Sequence, residues 1–264
     1  MKIYILLLLS VVVALSSCVS TKELTYLQEK SEQQLDSLGY QPLQRSEYRI
    51  QINDILNISI KSFDEKASNI FNAYVDRGTV QISDAIIYIK GNSVDNTGFV
   101  ELPVIGQVHV EGLTLSQVKS SIEKELYKYF KEDAVYLKVQ LAGIRYSIVG
   151  EINRPGKYVI YQNQANIFEA IAYAGDITMV GKRDNVQIIR QMPDGVKIFN
   201  IDLTDRNVIN SPYYFVQPND VINIQPLKAK SWGIGTEGFT TLLSVLTLVS
   251  TTLLIVVNLQ QFAN

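Results

Sequence analysis

From Tyr48 onward the apolar side chains fall on one parity: Tyr48, Ile50, Ile52, Leu56, Ile58 and Ile60, with Asn53-Asp54 interrupting as a turn or bulge. A period of two sends successive side chains to opposite sides of an extended chain, so this pattern reads as a strand with one buried face. The pattern returns at Val100, Leu102 and Val104, continues through Gly106, Val108 and Val110, and returns again at Val135, Leu137, Val139 and Leu141. Between these runs, Thr114 and Gln117 form a capping box, and Leu115, Val118, Ile122, Leu126 and Tyr129 recur at spacings of three and four. That is a helix with an N-terminal stop signal. Residues 46–142 therefore read as one α+β module.

Gly143 marks a boundary, and a second module over 143–227 repeats the grammar. Ile144–Gly150 is strand-like, Arg154-Pro155-Gly156 a turn, and Tyr158–Tyr161 a strand. Asn166–Ala174 is a short helix stopped by Gly175, a residue suited to the left-handed position after a helix. Val186–Arg190 and Val196–Leu203 flank the hairpin signal Pro193-Asp194-Gly195. Tyr213–Val216 and Val221–Ile224, separated by Pro218-Asn219-Asp220, close the module.

The inventory excludes several classes of function. The chain of 264 residues has Lys+Arg 24 against Asp+Glu 26, a net charge of −2, so no general nucleic-acid binder is indicated. One Cys rules out an internal disulfide framework, and one His rules out a histidine metal cluster. No phosphate-cradling glycine loop is present. His109 reads as an ordinary strand residue. The carboxylate pairs Asp64-Glu65 and Glu132-Asp133 are adjacent in sequence, so they cannot face each other across a sugar. The expectation is a non-enzyme with no cofactor and no metal.

Both ends carry uncharged apolar runs. Residues 1–17 read as a secretory signal: Lys2, then Ile3–Leu9 and Val11–Leu15, then Ser16 and Ser17. Leu15-Ser16-Ser17-Cys18 resembles the lipobox of bacterial lipoproteins, which implies acyl chains on Cys18 as the first mature residue. Residues 18–45, rich in Gln, Glu, Ser and Lys, read as a lipid-anchored tether. After Cys18 the chain reads Val19-Ser20-Thr21-Lys22-Glu23, without the acidic run that surface-exported lipoproteins of the Bacteroidetes typically carry. That resemblance points to retention on the periplasmic side.

After a linker over 228–238, Phe239–Leu259 is uncharged and long enough, as a helix of roughly 31 Å, to cross a bilayer core, leaving a tail of 260–264. A transmembrane helix is the expectation. Thr240, Ser244, Thr247, Thr251 and Asn258 fall within a stripe about 60° wide. Three readings stand: pore-facing hydroxyls in a ring of subunits, hydroxyls bonded within a tight dimer, or a tail anchor with incidental Ser and Thr.

Together these blocks carry a resemblance. Gly98-Phe99-Val100-Glu101-Leu102-Pro103-Val104-Ile105-Gly106-Gln107-Val108, followed by Gly112-Leu113-Thr114, resembles the signature of the outer-membrane polysaccharide export lipoproteins. The strand Tyr48-Arg49-Ile50-Gln51-Ile52-Asn53-Asp54-Ile55-Leu56 is similar to that family's opening strand, with Asn53 where Gly is usual. Ile148-Val149-Gly150-Glu151-Ile152-Asn153-Arg154-Pro155-Gly156, with Gly175 and Asp220 further on, resembles a soluble-ligand-binding β-grasp module. Gly98, Pro103, Gly106, Gly112, Gly150, Pro155, Gly156, Gly175 and Asp220 place the fold and form no catalytic site.

The resemblance implies an outer-membrane lipoprotein, its body in the periplasm, that oligomerises into a conduit for capsular or exopolysaccharide. Its implied partners are the secreted polysaccharide, an inner-membrane co-polymerase, outer-membrane lipid and further copies of itself, with no nucleic acid. The alternative is a periplasm-facing glycan-binding or scaffold lipoprotein with a C-terminal anchor.

Overall fold

The computed structural model describes residues 20–30, 47–62, 91–192, 194–228 and 237–262. The first module holds β1 (Ile55–Ser62), β2 (Asn92–Ser93), the hairpin β3 (Phe99–Leu102) and β4 (Gly106–His109), helix α2 (Leu115–Leu126) and β5 (Val135–Leu141). A short turn of helix, α1 (Thr21–Leu24), precedes it in the chain. Strand β1 is central, antiparallel to β5 from Leu56↔Leu141 to Ser62↔Val135 and to β2 on its other side. The alternation does what its parity dictates. Ile50, Leu56 and Ile60 are buried with Val100, Leu102, Val108, Leu137 and Leu141, and α2 supplies Val118, Ile122 and Leu126.

The helix starts where the capping box puts it. Thr114 Oγ1 accepts from Gln117 N and the Gln117 side chain accepts from Thr114 N, which satisfies two otherwise orphaned donors. It stops earlier than the apolar spacing predicts: α2 ends at Leu126 and Tyr129 is 58% exposed. Val104, expected on the strand, lies instead in the β3–β4 turn with φ of +71° and is exposed. Asn53 has φ of +69°. That left-handed conformation explains why glycine suits the position and why Asn substitutes for it.

The second module holds β6 (Ile144–Gly150), β7 (Gly156–Ile160), β8 (Ala165–Asn166), α3 (Ile167–Tyr173), β9 (Gly181–Met192), β10 (Gly195–Ile201), β11 (Phe215–Val216) and β12 (Asp220–Pro226). Five of its strands form one sheet in the order β10-β9-β12-β6-β7. Its first and last strands, β6 and β12, lie side by side and parallel, and every other pair is antiparallel. Helix α3 is capped by Asn166, whose Oδ1 accepts from Glu169 N. It buries Ile167, Ala170 and Ile171 against Ile148, Ile188 and Ile222. The core of the first module ends at Leu141 and that of the second begins at Ile144, on either side of Gly143.

Residues 20–30, part of the stretch that composition gives as a tether, pack on the second module as a docked arm. Leu27 N donates to Leu203 O at 3.1 Å, Gln28 N to Thr204 O at 2.7 Å and Arg206 N to Gln28 O at 2.9 Å.

The last element, α4 (Glu237–Phe262), is a helix as expected, but among the described residues no helix is long and apolar enough to cross a membrane. This corrects the expected C-terminal transmembrane helix over 239–259 and the part of the fold class that depends on it. The described side chains include Ser250 and Thr252 as well as Ser244, Thr247, Thr251 and Asn258. At 100° per residue, Ser250 and Thr252 fall roughly 100° to either side of the expected stripe, so polar groups interrupt the apolar surface on more than one face.

Candidate functional site

The residues singled out in the sequence divide between two turn systems, a buried ion pair and the helix. In the first module Asp95 organises the approach to β3. Its Oδ1 accepts from Phe99 N at 3.0 Å and from Thr97 N at 2.8 Å and Oγ1 at 2.7 Å. Those donors, Phe99 N foremost, hold its carboxyl below the usual range. Gly98 O accepts from Val110 N and Glu111 N, and Gly112 N donates to Ile50 O, so the motif glycines tie the hairpin to the first strand segment. Pro103 and Gly106 bound the β3–β4 turn. His109 sits edge-on to Phe99 with ring centroids 5.0 Å apart, as an ordinary strand residue would.

In the second module the constraint is tighter at Gly150. Its φ is +89°, and a Cβ there would lie 2.0 Å from Ile224 O, across the parallel β6–β12 pair. No side chain fits without moving the central strands. Pro155 and Gly156 open β7, and Gly175 ends the turn after α3.

Asp220 is the one charged residue of the motif set, and it is buried. Arg190 Nε donates to Asp220 Oδ1 and Arg190 Nη2 to Oδ2, each at 2.8 Å, and Nη2 also donates to Phe215 O at 3.0 Å. Gln217 N donates to Asp220 Oδ2 at 2.8 Å. Burial pushes the Asp220 carboxyl up, and Arg190 and the Gln217 amide oppose that. The pair pins the β11–β12 turn to β9.

A second buried carboxylate lies at the seam between the modules. Tyr48 Oη donates to Asp54 Oδ2 at 2.6 Å and Gln51 N donates to the same oxygen at 2.9 Å, while Asp54 Oδ1 is buried with no partner among the described residues. Burial pushes the Asp54 carboxyl up to about 6. It also raises the Tyr48 hydroxyl, with Asp54 next in effect and a further contribution from Asp220 across the seam. Tyr48 and Leu141 face Ile144, Asn163, Phe215 and Gln217 around a cleft whose interior holds about 20 Å³. That is room for a water, too little for a sugar ring.

On the helix, Ser244, Thr247, Thr251 and Asn258 are exposed, and the side chains of Thr247, Thr251 and Asn258 bond back to the helix itself. Thr247 Oγ1 contacts Ser244 O at 2.8 Å, Thr251 Oγ1 contacts Thr247 O at 2.8 Å, and Asn258 Nδ2 donates to Leu254 O at 3.0 Å. The Thr240 side chain and Cys18 lie outside the described residues, as does the pair Asp64-Glu65.

Tyr129, Tyr136, Tyr161 and Tyr173 are each more than half exposed. Sequence reasoning missed the arm. The Tyr26 ring packs edge-on against Phe168, with centroids 5.6 Å apart and the Arg183 guanidinium 5.3 Å from the ring centre. Its hydroxyl donates to Asp176 Oδ1 at 2.5 Å. Lys30 pairs with Asp202 at 3.0 Å and also contacts Thr204 Oγ1.

No group of three or more His, Cys, Asp or Glu that could hold a metal occurs among the described residues. Arg190 and Asp220 are tied into structural contacts, and Arg183 donates to Ile177 O and Thr178 O, while Asp54 Oδ1 has no partner among the described residues.

Residues 42–140 match the family of polysaccharide biosynthesis/export proteins. The match starts just before Tyr48, takes in the Asp95–Gly112 hairpin and α2, and ends within β5. The match supports placing the 42–140 module in the polysaccharide biosynthesis/export family. The motifs over Tyr48–Leu56 and Gly98–Thr114 thus lie within the matched stretch, where the described strands pack against the capped helix α2. The match supports a role in polysaccharide export or biosynthesis.

Proposed function

We propose that this chain is a non-enzymatic, lipid-anchored component of a polysaccharide export machine at the outer membrane. Its two modules form the periplasmic body of a homo-oligomeric conduit for capsular or exopolysaccharide. The observation that carries the reading is the export module itself, matched over residues 42–140, which hold its buried side chains from Ile50 to Leu137. The second sheet adds support. A five-stranded sheet whose first and last strands pair in parallel, with a helix between its two hairpins, is similar to the arrangement of a β-grasp module.

Cys18, after Leu15-Ser16-Ser17, is the attachment point for lipid. The conduit reading rests on the modules and not on a spanning helix. The exposed rings of Tyr129, Tyr136, Tyr161 and Tyr173 supply flat apolar faces of the kind on which sugars stack. An inner-membrane co-polymerase is the partner that would deliver the polymer.

The test is the mass of the lipidated protein in mild detergent, alone and with inner-membrane proteins present. A large homo-oligomer in the outer-membrane fraction supports the conduit. A monomer under both conditions contradicts it and leaves a glycan-binding scaffold.

A further inference from the structure

The β1–β5 pair of the export module has one face on the core and one in solvent. Leu56, Ile58 and Ile60 of β1 and Leu137, Val139 and Leu141 of β5 turn inward with the buried side chains of α2. The alternate residues therefore point the other way. On β1 these are Asn57, Ser59 and Lys61, and on β5 they are Tyr136, Lys138 and Gln140. The antiparallel register sets them side by side: Lys61 opposite Tyr136, Ser59 opposite Lys138 and Asn57 opposite Gln140. Directly opposed side chains start about 5 Å apart, and the next on the same face of a strand lies about 7 Å away. Tyr136 thus stands between Lys61 across the ladder and Lys138 along its own strand. Its ring is 62% exposed, and both lysines are exposed as well.

The chemistry of this patch is selective. It carries two cations, one aromatic ring, two amides and a hydroxyl, with no Asp or Glu among the six. Glu132 and Asp133, the nearest acids in sequence, lie in the turn before β5. Neither Lys61 nor Lys138 forms an ion pair among the described residues. None of the six is aliphatic, so the patch lacks the apolar centre around which a protein interface packs. An exposed ring instead offers a flat face to the C–H side of a sugar, amides and a hydroxyl match sugar hydroxyls, and an ammonium matches a carboxylate. We propose that the outer face of the β1–β5 pair is a binding site for an acidic polysaccharide, with a uronate ring stacked on Tyr136 and carboxylates held by Lys61 and Lys138. This rests on the polysaccharide-export reading and adds to it the charge class of the polymer. Contact at one such site is weak, because exposed ammonium groups are screened by salt, and a polymer with repeated carboxylates gains by multivalency.

The experiment titrates uronate oligomers calorimetrically into the full-length protein in mild detergent. The probes are oligomers of galacturonate, glucuronate and mannuronate, each beside its methyl ester, and poly-glutamate as a ringless polycarboxylate. The proposal predicts that at least one acid oligomer binds, and that its ester and poly-glutamate bind at least about tenfold more weakly. Tyr136→Ala weakens binding at low and high salt alike. Lys61→Gln with Lys138→Gln weakens it at low salt and removes the salt dependence. All three side chains are exposed, so the variants keep the parent's unfolding midpoint.

Binding of no acid oligomer, equal binding of acid and ester, poly-glutamate bound as tightly as the sugars, or full binding by the variants overturns the proposal. Cells lacking the chain separate the site from the reading beneath it. Loss of surface polymer there, with no acid oligomer bound in the titration, sinks the site alone. Polymer that stays on the surface sinks the export reading itself.

Discussion

Arg190 and Asp220 meet in parallel, Nε to Oδ1 and Nη2 to Oδ2 at 2.8 Å each, with both side chains almost wholly buried. They stand 30 residues apart in sequence and join β9 to the start of β12, next to the parallel β6–β12 pair. A bidentate pair of this kind costs desolvation on both sides, so its worth shows when one partner is removed. Arg190→Ala or Asp220→Ala alone is expected to cost about 3–5 kcal/mol, because a buried charge is left unpaired. Arg190→Ala with Asp220→Ala is expected to cost much less than the two single losses summed. Urea unfolding of the four proteins measures this, and additive losses would contradict the pairing.

Asp54 gives the stability a pH dependence of definite sign. Its folded value of about 6 lies above the ordinary carboxyl value of 3.8, so ionisation is harder in the folded protein. The stabilisation is complete below the lower value and is lost as pH rises through the higher one. Raising pH from 4 to 7 should therefore remove about 2–3 kcal/mol from this group. Asp54→Asn keeps an oxygen for Tyr48 and Gln51 and should flatten that slope, with buried Asp220 contributing in the same direction. Unfolding midpoints across the range test it.

Two glycines with similar backbone angles should respond differently to alanine. Gly106 has φ of +85° with nothing within 4 Å of a new Cβ, and Gly150 has φ of +89° with Ile224 O at 2.0 Å. Gly106→Ala meets only the left-handed penalty, about 1–2 kcal/mol. Gly150→Ala must also move a central strand, which puts it above about 4 kcal/mol. Equal losses in denaturant would show that the β6–β12 approach is not what requires glycine.

Much of this was legible before any coordinates. Period-two runs placed β1, β5, β6 and β12, and the capping box placed the start of α2 at Leu115, because both are local signals. What the sequence hid depends on distance or on backbone sign. Tyr26 and Asp176 are 150 residues apart, so a polar Gln- and Glu-rich stretch read as a linker although it docks. Val104 keeps the strand parity while its positive φ puts it in a turn. Asp220 was visible beside Pro218-Asn219, but its partner Arg190 lay hidden inside another strand. On α4 the uncharged run read as a span, and the described residues do not bear that out.

Tyr26 should matter to the second module although it lies outside it. Tyr26→Ala removes the ring from Phe168 and Arg183 and the hydroxyl from Asp176, an expected loss of about 2–3 kcal/mol for a half-buried aromatic. Limited proteolysis should then cut within residues 20–30 while the sheet over 144–226 stays protected. An arm equally resistant in both proteins would mean that Tyr26 does not hold it.

The most direct test of the account is the location of polysaccharide in cells that lack this chain and make it again from an added copy. Surface polymer and polymer retained inside the envelope are measured side by side. Export requires that surface polymer falls while retained polymer or its precursors persist, and that the intact chain restores it. Unchanged surface polymer in cells lacking the chain would contradict the account.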